Sequence, residues 1–318
     1  MRKNRSLLII VGIVILVILA GVLYWSKNQR VDPLINPANF VSGIDNKYFT
    51  LVPGKRFTYE SKTDEGTERV EVEVTRETKK IMGVVATVVR DRVWLNDKLI
   101  EDTKDWYAQD KEGNVWYFGE DTVELIDGQV VNRAGSWEAG VDGAKAGIIM
   151  KAKPKVGETY RQEYYKGKAE DMAQVLALNA SITVPFGTFN NCLQTLDYTP
   201  LEPSVKEHKY YCPSVGQVAL VVDQDGNTRE ELIAVDTVES ALQPSTYDYE
   251  KQEELKTEIT QEQAKEIALR KVSGTVTDVA VEEKFGKLTF VIEIAAESGV
   301  ETDVVVDVNT GEVLAVEK

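Results

Sequence analysis

Histidine and cysteine, on which many catalytic and metal sites depend, are almost missing from this sequence. It contains one histidine, His208, and two cysteines in 318 residues. Ser-His-Asp or Cys-His catalysis, and zinc sites rich in histidine, would have to be built on His208 alone. Its surroundings, Glu207-His208-Lys209, are typical of an exposed strand residue. We therefore predict no histidine-based or cysteine-based catalysis, no metal site and no cofactor.

The Cys-x-x-Cys spacing of catalytic dithiols is absent as well, because the two cysteines are Cys192 and Cys212. Two strand-like segments, 192–198 and 205–212, flank a turn near Glu202. A hairpin folded about Glu202 places residues whose numbers sum to 404 opposite each other, and the two cysteines meet that condition. Opposed residues of an antiparallel pair can have Cα atoms about 4.5 Å apart, within reach of a disulfide. We therefore predict a structural disulfide between them.

Basic residues are outnumbered by acidic ones. There are 37 lysines and arginines against 52 aspartates and glutamates, which gives a formal net charge of -15 and a pI near 4.8. Such a surface repels phosphate backbones and anionic lipid headgroups. We therefore predict no nucleic-acid partner and a body that stands off the bilayer surface.

A long hydrophobic run occupies residues 7–25, which begin at Leu7, end at Trp25 and carry no charge. As a helix the run reaches about 28 Å, close to the ~30 Å hydrocarbon core of a bilayer. Three basic residues precede it within 1–6, which predicts a cytoplasmic tail and an extracytoplasmic body. The alternative is a cleaved secretory signal. We predict a single-pass cell-membrane protein that this segment anchors.

The long middle part of the chain has the pattern of antiparallel strands. Residues 26–39 contain Pro33 and Pro37 with little periodicity and are interpreted as a tether. Beyond them, apolar and polar residues alternate between recurring turn sequences. We predict a mainly β domain at 40–238, folded as a curved antiparallel sheet, an incomplete barrel or a sandwich. A short helix is expected at 169–178.

The C-terminal part has a different pattern. An acidic linker is predicted at 239–258. Residues 260–273 are predicted to form an amphipathic helix, with Thr260 and Gln263 as its capping box and Gly274 as its left-handed stop. Alternating segments follow the helix. This part is therefore predicted to be one helix followed by four antiparallel strands.

Two blocks in this C-terminal part resemble a known family. They are Ile259-Thr260-x-x-Gln263-Ala264-x-x-Ile267-Ala268-Leu269 and Val306-Asp307-x-Asn309-Thr310-Gly311-Glu312-Val313-Leu314. With them, residues 259–318 resemble a PepSY domain, which is similar to a segment in the propeptides of thermolysin-type proteases. The resemblance implies a small binding or protease-inhibiting module of bacterial cell-surface and membrane proteins. It does not imply a catalyst.

The candidate binding site is an irregular region that combines carboxylates with aromatic rings. Loops often carry function, and acids beside aromatic rings can bind a sugar, a cation or a basic peptide. The candidate ligand-binding residues are Trp137, Glu138, Asp142, Arg161, Glu163, Tyr164, Tyr165, Glu170 and Asp171. In the alternative interpretation, the aromatic rings pack the sheet and the acids face water.

These observations lead to one main hypothesis and two alternatives. The main hypothesis is a non-catalytic, membrane-anchored extracytoplasmic binding protein that contacts an envelope protein, such as a protease that it restrains. The first alternative is a tethered carrier of an apolar ligand in a half-barrel cavity. The second is an envelope hydrolase that uses paired carboxylates. A buried apolar cavity would favour the carrier, and two inward-facing acids in a cleft would favour the hydrolase.

Overall fold

The computed structural model describes residues 35–63, 65–224, 226, 228–238, 257–296 and 301–317. The predicted anchor at 7–25 lies outside these ranges, as does the predicted linker at 239–258 apart from its last two residues. Across the described ranges, no helix is long and apolar enough to span a bilayer. The anchored, extracytoplasmic location therefore stays a prediction.

Strands dominate the part of the chain that the structure describes. After a 3₁₀ turn at Pro37–Asn39 come β1 (Phe40–Val41), β2 (Ile44–Asn46), β3 (Phe49–Leu51), β4 (Lys55–Thr63), β5 (Gly66–Ile81), β6 (Val84–Leu95), β7 (Lys98–Asp110), β8 (Val115–Ile126), β9 (Gln129–Asn132), β10 (Trp137–Glu138), β11 (Lys145–Met150), β12 (Thr159–Arg161), β13 (Glu163–Tyr164), β14 (Met172–Val184), β15 (Gly187–Tyr198), β16 (Lys206–Cys212), β17 (Gln217–Asp223) and β18 (Arg229–Thr237). Then follow helix α1 (Gln261–Leu269), β19 (Thr275–Lys284), β20 (Lys287–Ala295), β21 (Glu301–Asp307) and β22 (Val313–Glu317). The prediction of a mainly β protein with a small helix-plus-sheet part at its C-terminal end is confirmed.

Sixteen strands form one sheet whose two ends nearly meet. The hydrogen-bonded order is β12-β14-β15-β16-β17-β18-β4-β5-β6-β7-β8-β11-β13, with β1 on β7 and both β9 and β10 on β8. The terminal strands β12 and β13 are separated in the sequence by Gln162 alone. The backbone N–H of Gln162 donates to the carbonyl oxygen of Asp171 at 2.8 Å. The sheet is therefore a nearly closed barrel, which agrees with the predicted incomplete barrel.

The two ends of the sheet come close together because the backbone of β11 contacts the backbone at Gln162. Strand β11 passes Gln162 at Gly147, where an added Cβ would lie 2.3 Å from the carbonyl oxygen of Gln162. The hydroxyl of Tyr160 on β12 donates to the carbonyl oxygen of Ile149 on β11 at 3.5 Å. A side chain at position 147 would push the two ends of the sheet apart, because the backbones already touch there.

The expected helix at 169–178 is wrong, because most of this segment belongs to strand β14. Ala173 and Val175 are fully buried and are separated by half-buried Gln174. This period of two is the pattern of a strand, whereas the prediction gave weight to apolar residues at helical spacing. Strand β14 also pairs on both sides, with β12 and with β15. Two ladders of backbone hydrogen bonds thus override the local helical pattern.

The predicted disulfide is confirmed. Cys192 and Cys212 are bonded across strands β15 and β16, with Cα atoms 4.3 Å apart. The neighbouring pairs follow the predicted register, since Leu193 opposes Tyr211 and Tyr198 opposes Lys206. Both cysteines are fully buried. The bridge therefore fixes the hairpin that carries part of the barrel interior.

The C-terminal module is one helix on a four-stranded antiparallel sheet in the order β19-β20-β21-β22. Thr260 and Gln263 form the predicted capping box at the start of α1. Gly274 is not the predicted left-handed stop, because its φ is not positive and α1 already ends at Leu269. Instead, a Cβ at Gly274 would lie 2.4 Å from the carbonyl oxygen of Ala295. Glycine is needed there for close packing of the chain against β20.

Candidate functional site

Two of the predicted site residues, Trp137 and Glu163, lie in a buried cluster inside the barrel. Trp137 packs edge-on against Tyr117, with ring centroids 5.4 Å apart. Glu163 is buried on β13. Among the described residues, no acceptor meets full hydrogen-bonding geometry with the indole N–H of Trp137. The N–H group nevertheless lies close enough to Glu163 to lower the pKa of its carboxyl group. The negative charge of Asp171 raises the pKa of Glu163.

Most of the other predicted residues have local structural partners. Glu138 pairs with Lys79 at 2.8 Å. The guanidinium of Arg161 lies over the ring of Tyr164, 4.5 Å from its centroid. These two pairs are not parts of one site.

The remaining predicted residues belong to surface turns. Glu170 accepts a hydrogen bond from the backbone N–H of Gly167 at 2.9 Å. Lys168 lies over the ring of Tyr165, at 5.0 Å from its centroid. Asp142 adopts a φ of 48° in an exposed turn. Their geometry is explained by the turns alone.

The buried cluster extends to two acids that the sequence analysis did not single out. Asp105 on β7 and Glu120 on β8 are directly opposed. The hydroxyl of Tyr117 donates to Oδ1 of Asp105 at 2.6 Å, and Oε2 of Glu120 lies 3.1 Å from the same hydroxyl oxygen. A hydroxyl carries one proton, so both contacts are hydrogen bonds only when one of the carboxyls is protonated. We call Asp105, Tyr117, Glu120 and Glu163 the Tyr117 cluster.

Burial raises the pKa of all three acids of the Tyr117 cluster. Burial raises the pKa of Asp105 to about 7, against the opposing effect of the Tyr117 hydrogen bond. Burial and the charge of Asp171 raise the pKa of Glu163 to about 8. Burial, together with the nearby charge of Asp105, raises the pKa of Glu120 well above its ordinary value. Withdrawal from water penalises the charged form, which is the common cause.

A cavity of about 490 Å³ lies inside the barrel next to this cluster. Its walls come mainly from the neighbouring strands β16 to β18 and β4 to β7, with Ile149 of β11 and Phe49 of β3. The walls combine polar and apolar surface, and the apolar residues include Val70, Val72, Val93, Ile100 and Val221. Tyr107 also lines the cavity and stacks on Tyr117 at 4.9 Å between centroids, which connects the cavity to the Tyr117 cluster.

The acids in the cavity wall are the most unusual feature of the barrel. We call these five residues the inner acids: Glu68, Asp91, Glu101, Asp105 and Glu230. Within the described ranges, no basic side chain forms an ion pair with any of them. Oδ1 of Asp91 is buried and has no hydrogen-bond partner among the described residues.

Burial raises the pKa of four of the inner acids, Glu68, Asp91, Asp105 and Glu230. It raises the pKa of Asp91 well above its ordinary value, and the charges of Asp105 and Glu230 add to this effect. Burial likewise raises the pKa of Glu230 to about 7. The inner face of the barrel therefore takes up protons as the pH falls towards neutrality.

A lysine, Lys209, also lines the cavity. Its Nζ lies 3.7 Å from Oδ2 of Asp197 and 3.5 Å from Oε2 of Glu207. Burial opposes its charge, but Asp197 and Glu207 outweigh burial and raise the pKa of Lys209. Lys209 is therefore held by two acids other than the inner acids, and its charge also lowers the pKa of Glu230 against the larger effect of burial.

The sequence carries a signal for the inner acids that the pattern analysis did not use. Asp91 stands between Val89 and Val93, at the apolar phase of its strand, and Glu68 has the same phase as Val70 and Val72. An acid at an apolar position of an alternating strand points to the buried side of the sheet. Only the closed sheet shows that these positions share a cavity.

The comparisons with known proteins concern mainly the C-terminal module. The PepSY family model, described as "Peptidase propeptide and YPEB domain", matches residues 258–317. No curated protein matches the sequence. Two solved structures are similar at low identity. A candidate lipoprotein of Parabacteroides distasonis has a TM-score of 0.32 and 11% identity over 59% of this chain and 98% of its own. MucB has a TM-score of 0.27 and 9% identity over 80% of this chain and 74% of its own. At such TM-scores neither structure supports an argument about this protein. What the comparisons establish is that residues 258–317 form a PepSY domain.

Proposed function

We propose that the protein is a non-catalytic binding protein of the cell envelope, whose barrel binds a small, largely apolar ligand and whose PepSY domain contacts a protein partner. The observation that carries the proposal is the cavity of about 490 Å³ inside the barrel. Small-molecule sites are usually concave, mostly apolar and between about 300 and 1,000 Å³. The cavity has this size, and its walls combine apolar residues with polar groups.

The architecture supports binding inside the barrel. A closed sheet presents alternate residues of every strand to its interior, so apolar walls can surround a ligand on all sides. Val70 and Val72 on β5, Val93 on β6 and Val221 on β17 supply such walls here. Apolar ligand surface that is buried against these side chains would contribute about 25 cal/mol of binding free energy for each Å² removed from water.

Binding is favoured over hydrolysis by the arrangement of the closest acids. Glycoside hydrolases need one carboxyl as an acid and a second as a base or nucleophile, placed on either side of the substrate. Asp105 and Glu120 both contact the hydroxyl of Tyr117, which occupies the space between them. This geometry supports a structural, proton-sharing role for the pair.

The protein partner is proposed from the family match. The description of the PepSY family names peptidase propeptides, segments that belong to proteases. We therefore propose that residues 258–317 contact a protease of the envelope and restrain it. Protease accessibility in intact cells tests the envelope location: digestion of the barrel from outside is expected, and complete protection would contradict it.

Probe binding with a cavity-filling variant tests the proposed ligand site. Full-length protein in lipid nanodiscs would be titrated with the neutral fluorescent probe N-phenyl-1-naphthylamine, and empty nanodiscs would be subtracted. Val93→Phe fills part of the cavity wall and is expected to weaken probe binding at least about tenfold. Val85→Phe is the matched control, because Val85 lies on the same strand and is 60% exposed.

The control decides how the result is interpreted. Both variants should keep the circular dichroism spectrum and melting temperature of the wild type within a few degrees. Equal loss in both variants, or no probe binding by the wild type, would contradict the cavity as a binding site.

A further inference from the structure

We infer that the ligand of this cavity carries an ammonium group on an aliphatic chain, and that Asp91 receives the ammonium group. The inference deepens the proposed function and rests on it, since it assumes that the cavity binds a ligand. It concerns the chemistry of the cavity wall, which the size of the cavity does not determine.

Asp91 is the first observation that points to a cation. Its half-buried side chain lines the cavity. Its Oδ1 is buried and accepts no hydrogen bond within the described ranges. Buried polar atoms in native proteins almost always have a partner, and a carboxylate oxygen is strictly an acceptor when ionised. Since no described residue donates to this oxygen, we infer that a donor bound in the cavity supplies the partner that the carboxyl group lacks.

The charges that face Asp91 exclude most other donors. Asp105 and Glu101 approach from β7, and Glu230 approaches from β18. Lys209, the lysine in the cavity wall, is held by Asp197 and Glu207. A ligand that enters this space meets carboxyl groups from several strands. Electrostatic complementarity thus favours a positive group over a neutral or negative one.

Aromatic rings in the same wall suit an organic cation better than a metal ion. Tyr59, Tyr107 and Tyr211 line the cavity together with Asp91. Aromatic rings attract alkylammonium groups, and carboxylates with aromatic rings are the common means of binding them. Within the described ranges, no group of three or more His, Cys, Asp or Glu side chains is arranged to hold a metal ion.

The apolar walls define the rest of the ligand. Val70, Val72 and Val93 lie on the same strands as, or beside, Asp91 and Glu68. They form a surface that an aliphatic chain can cover while its ammonium group stays at Asp91. An amphiphilic amine can place its ammonium group at Asp91 and its chain against the apolar residues. A fatty acid would instead place its carboxylate among the inner acids.

Cation binding must displace a proton if this inference holds. Burial raises the pKa of Asp91 well above its ordinary value, which favours the protonated carboxyl group when no cation is bound. An entering ammonium group favours the ionised carboxylate, and the proton leaves to solvent. The charge inside the cavity is then unchanged, because one positive group replaces another. Binding should therefore release a proton and strengthen as the pH rises.

Three probes with the same eight-carbon chain test the inference. Octylammonium, octanol and octanoate would each displace N-phenyl-1-naphthylamine from full-length protein in nanodiscs. Octylammonium is expected to bind at least about tenfold more tightly than octanol, because a hydrogen bond to a charged group contributes about 1.5–3 kcal/mol. Octanoate is expected to bind most weakly.

A charge-removing variant identifies the residue. Asp91→Asn keeps the shape of the side chain and is expected to weaken octylammonium binding by about tenfold or more, with octanol affinity unchanged. Asp97→Asn is the matched control, because Asp97 lies in an exposed turn at a φ of 63°, which asparagine tolerates. Unchanged octanol binding also shows that Asp91→Asn is folded.

The outcomes separate the inference from the proposed function. Equal binding of octylammonium and octanol to the wild type would overturn the inference and leave the cavity as an apolar site. No binding of any probe would contradict the proposed function itself. Titration calorimetry of the wild type in buffers of different ionisation enthalpy needs no variant: release of a proton with octylammonium, and none with octanol, is expected, and no release with either would overturn the inference.

Discussion

Acidic residues have different surroundings on the two faces of strands β4 to β7. On the outer face, Arg56 lies 2.7 Å from Glu73, and Arg92 lies 3.1 Å from Glu71. On the inner face of the same strands, Asp91 has a buried oxygen without a partner. Neighbouring residues of one strand therefore meet either a guanidinium group or a cavity, depending only on the direction in which they point.

The difference shows which acids serve stability. A paired acid gains from ionisation, as Asp307 of the PepSY domain illustrates: the hydrogen bond from Lys287 and the backbone N–H groups of Asn309 and Thr310 lower its pKa to about 2. Burial does the reverse to Asp105, Glu163 and Glu230, and at Glu163 and Glu230 the charge of Lys209 opposes burial only in part. Such acids weaken the folded state when they ionise.

The pH dependence of unfolding should show the largest effect of this comparison. Burial raises the pKa of Asp105 to about 7, of Glu163 to about 8 and of Glu230 to about 7. The folded state then binds more protons than the unfolded state, so stability is fullest near pH 4 and falls as the pH rises to 8. We expect urea unfolding, followed by tryptophan fluorescence, to show a decrease on the order of 3 kcal/mol from pH 4.5 to pH 8.

Two variants locate the source of this slope. Glu163→Gln removes a titrating group and should flatten the curve, whereas Glu112→Gln, in an exposed turn, should leave it unchanged. Stability that rises between pH 4.5 and pH 8 would show that the acids of the inner face are paired in the same way as those of the outer face.

Breaking a pair on the outer face should give the next largest effect. Asp102 is buried, and its Oδ1 accepts a hydrogen bond from Nε of Arg90 at 2.7 Å. Asp102→Asn removes the carboxylate charge that accepts from the half-buried guanidinium group of Arg90. We expect a loss of about 2 kcal/mol in the free energy of unfolding at pH 7. An unchanged urea midpoint would mean that the pair contributes nothing.

The same substitution on the inner face should have the smaller and opposite effect. Asp91→Asn removes a buried carboxyl group whose ionised form burial penalises, so the variant should gain about 1 kcal/mol at pH 8. Because burial raises the pKa of Asp91, the gain should shrink as the pH falls. Destabilisation by Asp91→Asn that equals the loss in Asp102→Asn would remove the distinction between the two faces.

Local signals in the sequence predicted much of this structure. The disulfide followed from the register of one hairpin, and the start of α1 followed from Thr260 and Gln263, three positions apart. Each of these features depends on residues that are close in the sequence. The incorrect helix at 169–178 failed because β14 is held by partners on both sides, which the local pattern does not contain.

The cavity could not be predicted from the sequence, because it too depends on strands that are far apart in the chain. Strand β4 pairs with β18, where Phe57 opposes Val235 from the other end of the domain. Only this long-range closure brings Asp91, Glu230 and Lys209 into one wall. The predicted site residues were chosen from irregular segments, where turns explain Glu170 and Asp142, while the inner acids stand within regular strands.

The central claim is that the barrel interior holds buried acids without an ion-pair partner among the described residues, and a titration of individual carboxyl groups tests it most directly. In full-length protein labelled with ¹³C aspartate and glutamate, the side-chain carboxyl signals would be followed from pH 3 to pH 9. We expect titration midpoints at about 7 for Asp105 and about 8 for Glu163. Midpoints for both residues near their ordinary values of about 4 would contradict the account.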